Sequence, residues 1–108
     1  MITTEALGPG TTLIAVAGEV TFSNVSGFDR ALASAQSEAT NLVVDLTDVT
    51  FIDSSGLSSL ITASARSRAG TVALVLAGDA PPSIFRFRGV DRLLALYGSR
   101  EAALAGLS

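Results

Sequence analysis

Phe51-Ile52-Asp53-Ser54-Ser55-Gly56-Leu57 joins two segments of opposite character, and how it is read decides the fold. On its N-terminal side Asn41-Leu42-Val43-Val44-Asp45-Leu46 is nearly continuous in apolar residues, as expected of a strand buried on both faces. On its C-terminal side Leu57, Leu60, Ile61 and Ser64 recur at steps of three and four, the spacing of one helix face. The heptapeptide is therefore a strand-to-helix junction. It carries more small polar chemistry than a turn requires. A serine before an apolar helix is a preferred N-cap, but two serines and a glycine stand here. Glycine is a poor helix residue, by about 1 kcal/mol against alanine, and fits best where something approaches the backbone closely.

Outward from this junction the same alternation continues. Residues 2–7 form a weak first strand, Gly8-Pro9-Gly10 a turn, and Thr12–Ala17 a second strand that ends in a loop at Gly18-Glu19-Val20-Thr21-Phe22. Ser23 or Asn24 caps a helix running to about residue 38, with Val25, Phe28, Leu32 and Ala35 on its inner face and Arg30, Gln36 and Glu38 largely on the other. Thr47-Asp48-Val49-Thr50 reads as a loop with Val49 tucked inward. The second helix ends near Arg66–Arg68, closed by Gly70, and Thr71–Ala77 is a third buried strand. Pro81-Pro82-Ser83 opens a third helix, Asp91–Leu94 adds one turn, Ala95–Tyr97 is a short strand, and Ser99 caps a last helix with Ala102, Leu104 and Leu107 inward. The order β-β-α-β-α-β-α-β-α implies an α/β fold. The expected architecture is a single domain over residues 1–108, with a mixed, mostly parallel sheet of four to five strands and about four helices.

Composition narrows the function. The chain has 108 residues, 48% hydrophobic and 16% charged, enough apolar content for one core without staples. It has no cysteine and no histidine, which removes disulfides, thiolate metal sites and Ser-His catalysis. All seven cations are arginines, so Schiff-base and P-loop chemistry lack their lysine. A net charge of −3 argues against nucleic acid. No apolar run is long enough to span a bilayer and no signal peptide is visible, so a cytoplasmic location without membrane insertion is expected. Glu19 and Asp53, at strand ends, suggest acid–base chemistry less well than solvated loop acids. Asp45 and Asp48 suggest a cation site only weakly. Arg86 and Arg88, two apart, share no helical face and read as solvated.

Asp53-Ser54-Ser55-Gly56-Leu57, preceded by Val44-Asp45-Leu46 and Val49-Thr50-Phe51-Ile52, resembles the signature of the STAS domain, in particular the bacterial anti-sigma factor antagonists. Gly18-Glu19-Val20 resembles that family's Gly-Glu-Leu-Asp turn. Pro82, Ile84, Phe85, Gly89-Val90 and Leu93-Leu94 resemble its third-helix segment, and Ser99–Leu104 its last helix. The resemblance implies a non-enzymatic switch without cofactors. Its partners would be an anti-sigma factor with GHKL-type serine kinase activity and a PP2C-type phosphatase. Ser55 would be the phosphoacceptor, with Glu19, Thr21, Phe22, Ser23, Asp53, Ser54, Ser55, Gly56, Leu57 and Ser58 in the partner-binding surface. On that reading Ser54 is the cap, Ser55 the handle, and Gly56 keeps the way to it clear. Thr21 departs from the pattern, standing where the family commonly has aspartate. STAS-like domains also serve as regulatory subunits of transport (ABC) complexes and as stressosome-type scaffolds, the alternative that Thr21 keeps open.

Overall fold

A computed structural model describes residues 1–8, 10–38, 41–66, 71–76 and 95–106. The predicted third helix from Pro81, the turn at Asp91–Leu94, the closing Gly70, Arg86, Arg88 and the inner Leu107 lie outside the described residues.

Strand periodicity decides which way each side chain points. Along β1 (Ile2–Gly8), β2 (Thr11–Val20), β3 (Asn41–Ile52), β4 (Val72–Val75) and β5 (Ala95–Tyr97) the sheet order is β1-β2-β3-β4-β5. β1 is antiparallel to β2, and every other pair is parallel. Successive right-handed crossovers in one direction put both connecting helices on the same face. These are α1 (Val25–Glu38) and α2 (Ser54–Arg66). Ile14, Val16, Leu42, Val44, Leu46, Val72 and Leu74 meet Phe28, Leu32, Leu57 and Leu60 there, in the larger core. The alternate residues Leu13, Val43, Ala73 and Val75 face the opposite side, where Ala103 of α3 (Arg100–Gly106) packs with Tyr97. Full burial of each large side chain contributes about 1.5–3 kcal/mol, and Phe28, Leu32 and Leu60 are at most 1% exposed.

Two expectations change in a way that matters for the site. Thr47–Thr50 is not a loop, since β3 continues to Ile52. β2 likewise runs past Ala17 to Val20, with Ala17 opposite Asp48, Gly18 opposite Val49, Glu19 opposite Phe51 and Val20 opposite Ile52. Irregularities at Ala15/Ala17 and Gly18/Glu19 take up the mismatch, the extra residues lying on β3. Gly18, opposite the second, takes φ +89°, a conformation glycine adopts without strain. Among the described residues β4 pairs with β3 over Leu42–Asp45 alone. The two long strands therefore project beyond β4 as a ribbon. The candidate site is built on its tip.

α3 also turns differently from expectation. Ser99 does cap it, its Oγ accepting the Ala102 N–H at 3.1 Å. Its buried residue, however, is Ala103, while Ala102 and Leu104 are exposed. The cause is Arg100, whose Nε donates to Asp45 Oδ2 at 2.5 Å. That clamp fixes the helix's rotation, and the residue three further on shares its face. In α1, Gln36 is not a solvent-face residue. Its Nε2 donates to the Ala63 carbonyl at 2.6 Å and its Oε1 accepts from Arg66 Nε at 3.2 Å, tying α1 to α2. On α2, Ala63 is buried where Ser64 was expected to face inward, and Ser64 is half-buried.

Candidate functional site

Asp53 is the residue on which the site is assembled. Its N–H donates to the Val20 carbonyl at 3.1 Å, ending β3 against β2, and its own carbonyl accepts the Leu57 N–H at 3.1 Å, starting α2. Oδ1 accepts the N–H groups of Ser55 at 2.9 Å and Gly56 at 3.3 Å. Oδ2 accepts the Phe22 N–H at 3.0 Å. The α2 cap is thus Asp53, not Ser54, which occupies the first helical position. An aspartate caps as well as a serine, and β3 ends one residue before it. Burial pushes this carboxyl up, but the hydrogen bonds from Phe22, Gly56 and Ser55 outweigh it and hold it below the ordinary carboxylate range.

The facing loop is held as firmly. The Asn24 Oδ1 accepts the Thr21 N–H at 2.9 Å, and its Nδ2 donates to the Glu19 carbonyl at 2.9 Å. Asn24 thus uses its side chain to close the Glu19–Asn24 loop rather than to cap the first turn of α1. The Thr21 and Ser23 hydroxyls pair at 2.8 Å. Phe22 stands at the loop's tip, 83% exposed. Phe51, the first residue of the junction, is 52% exposed opposite Glu19. It is a surface aromatic that the sequence reading missed. Its only sequence signal was its place among Thr47, Asp48 and Thr50, which are exposed too.

The predicted site residues separate by depth. Glu19, Phe22, Ser23, Ser54 and Ser58 are exposed, whereas Thr21, Asp53 and Ser55 are half-buried. Gly56 and Leu57 are buried. A Cβ on Gly56 would stand 2.7 Å from Ile52 Cγ1 and 2.8 Å from Val20 Cγ1. The close approach this glycine permits is therefore that of the domain's own strand ends. Ser55 opens onto a groove of about 490 Å³ between α1 and α2, with Val25, Asp29, Arg30, Ser58 and Thr62 in its walls. The Ser59 hydroxyl donates to the Ser55 carbonyl at 3.2 Å.

Asp45 is remote from this surface. Buried on the α3 side, it accepts from Arg100 and from the Thr47 N–H at 2.9 Å. Burial raises its pKa, but the Thr47 and Arg100 hydrogen bonds prevail and lower it. A carboxylate so paired is a structural anchor rather than half of a cation site with Asp48. Asp45 and Asp53 both titrate lower folded than unfolded. Their stabilisation is therefore complete above about pH 4, the ordinary aspartate range, and is lost as pH falls through the folded values. The urea midpoint is expected to drop from pH 6 to pH 3, and to drop less in Asp45→Asn. An unchanged wild-type midpoint would contradict this assignment.

The family model described as "Mlab, STAS domain" matches residues 3–96. An anti-sigma factor antagonist from Mycobacterium paratuberculosis superposes with a TM-score of 0.88 at 24% identity, over 99% of this chain and 92% of that one. SpoIIAA, a Bacillus cell fate determinant and anti-sigma factor antagonist, is 19% identical. Its unphosphorylated form gives a TM-score of 0.74, over 98% of this chain and 96% of that one. Its phosphorylated form gives 0.67 over all of both. The murine anion transporter Slc26a9 matches 92% of this chain with 18% of its own, at TM-score 0.66 and 16% identity. No curated protein sequence matches significantly.

Proposed function

Since the chain belongs to the STAS domain family, we propose that it is a partner-binding switch of the anti-sigma factor antagonist kind. Unphosphorylated, it binds an anti-sigma factor that is also a GHKL-type serine kinase, and so releases the sigma factor. Phosphorylation of Ser55 ends the contact, and a PP2C-type phosphatase restores it. The domain performs no chemistry of its own and acts in the cytoplasm.

One observation carries this reading. A single carboxylate, Asp53, bonds both the turn that presents Ser55 and the loop that presents Phe22. A hydroxyl acceptor and an exposed aromatic anchor thus belong to one preorganised surface, which lowers the ordering cost of binding. Buried aromatics are frequent energetic centres of interfaces.

Incubation with ATP and the cognate anti-sigma kinase is expected to give one slower band on phosphate-affinity electrophoresis, absent in Ser55→Ala. A band that persists in Ser55→Ala places the acceptor elsewhere. No band with any such kinase favours the second reading, a regulatory subunit of a transport complex or a scaffold. That reading draws on the occurrence of this fold within an anion transporter and on Thr21, whose hydroxyl is paired with Ser23 where a carboxylate would serve a kinase.

A further inference from the structure

We propose that the outer edge of β1 pairs with β1 of a second copy of this chain, joining two sheets across a two-fold axis. Among the described residues β1 lies at one end of the sheet, with β2 as its neighbour. The ladder fixes which of its backbone groups are used. Met1 and Ala17 exchange both hydrogen bonds at 2.9 Å, and the register continues Ile2–Val16, Thr3–Ala15, Thr4–Ile14, Glu5–Leu13 and Ala6–Thr12. In an antiparallel pair bonded and non-bonded positions alternate. Thr3 and Glu5 therefore spend their N–H and C=O groups on β2, and Ile2, Thr4 and Ala6 direct theirs outward.

That outward set is self-complementary. With the axis at Thr4, Ile2 meets the second copy's residue 6 and Thr4 meets its own equivalent, so donors and acceptors coincide in a bonded register. Isologous contacts of this kind are the commonest closed association. The charges agree as well. Glu5 falls opposite the second copy's residue 3, a threonine, so no like charges oppose each other. Among the described residues the edge is also open above. Thr4 and Ala6 border a groove of about 190 Å³ whose α1 wall is the small residues Ala31, Ser34 and Ala35. Edges of this kind are commonly protected by proline, by several charges or by a covering element; β1 carries Glu5 as its one charged side chain.

Sedimentation velocity from about 5 µM to about 1 mM tests the pairing by mass action. The wild-type chain is expected to move from monomer to dimer. Hydrogen exchange should then slow by about tenfold or more at Ile2, Thr4 and Ala6 at the high concentration, while Thr3 and Glu5 stay protected throughout. Thr4→Pro removes an outward N–H that β2 does not use, as edge strands tolerate. Thr4→Lys leaves the backbone intact and sets two ammonium groups face to face. Both variants are expected to remain monomeric with wild-type circular dichroism, and if Thr4→Pro folds poorly Thr4→Lys decides alone. A wild-type chain that stays monomeric overturns the proposal, even if its edge takes up another protein's strand. So does a dimer that Thr4→Lys leaves equally tight.

Discussion

Phosphoryl transfer to Ser55 is expected to weaken the proposed partner's binding by several hundredfold. A phosphate brings about −1.5 to −2 charges at neutral pH. A helix N-terminus ordinarily welcomes an anion through its unpaired N–H groups. Here Asp53 Oδ1 already accepts those of Ser55 and Gly56, bonds that favour its charged form. The phosphate must displace that carboxylate or lie beside it as a second anion. Asp29 borders the same groove, whose walls also carry the cations Arg30 and Arg66, the latter already bonded to Gln36. In the free protein water screens this crowding. In the docked interface it does not, and burying an ion costs several kcal/mol unless the partner supplies cations. A net loss of about 3–4 kcal/mol corresponds to several hundredfold. Titration calorimetry of the phosphorylated and unmodified forms against the kinase, with ADP in place of ATP, measures it. Ser55→Ala should match the unmodified protein. A difference below about threefold would sink the switch, though not the docking surface.

Much of this arrangement is legible in the residues, and the exceptions have physical causes. Alternating apolar runs and three-four spacings give the order of the elements, because the central strands are buried on both faces over Leu42–Leu46 and Val72–Val75 and the helices α1 and α2 on one. β3 is longer than its apolar run because Thr47–Ile52 is held by backbone pairing with β2. Its exposed Thr47, Asp48 and Thr50 interrupt the apolar sequence, although Val49 and Ile52 still pack against the core. The cap shifted from Ser54 to Asp53 because both residue types serve, and only the last residue of the strand chooses between them. Gln36 could have been found, since it lies four beyond Leu32 on the buried face. Its amide is satisfied by the Ala63 carbonyl, a partner no local pattern predicts. Phe51 and Asn24 were readable as residues but not as roles. One depends on the ribbon leaving the core, the other on a loop closing upon itself.

Enlarging Gly56 is expected to damage the domain more than any other change at the junction. Alanine at this position should favour the helix by about 1 kcal/mol, so propensity alone predicts a more stable protein. Packing predicts the reverse. The added Cβ would meet Ile52 Cγ1 at 2.7 Å, Val20 Cγ1 at 2.8 Å and Ile52 Cδ1 at 3.0 Å, closer than carbon atoms pack. Val20 is 2% exposed, and both side chains sit where β2 and β3 end, so neither is a free tip that can swing away. Overpacking of this kind costs about 1–3 kcal/mol. Because neither contact atom can swing away, the cost should lie toward the upper end of that range. Gly56→Ala should therefore lose up to about 2 kcal/mol net of the helix gain, and Gly56→Val, with two further methyls, more. The readout is the urea midpoint at unchanged slope. Ile52→Ala supplies the check that the cause is this contact. It should cost less in the Gly56→Ala background than in the wild type, because it removes the atoms the new Cβ meets. A Gly56→Ala protein as stable as wild type would mean that α2 can lift off the strand ends. Asp53 could then not hold Ser55 and Phe22 in one surface. The stability of this one glycine variant thus bears directly on whether the surface is preorganised.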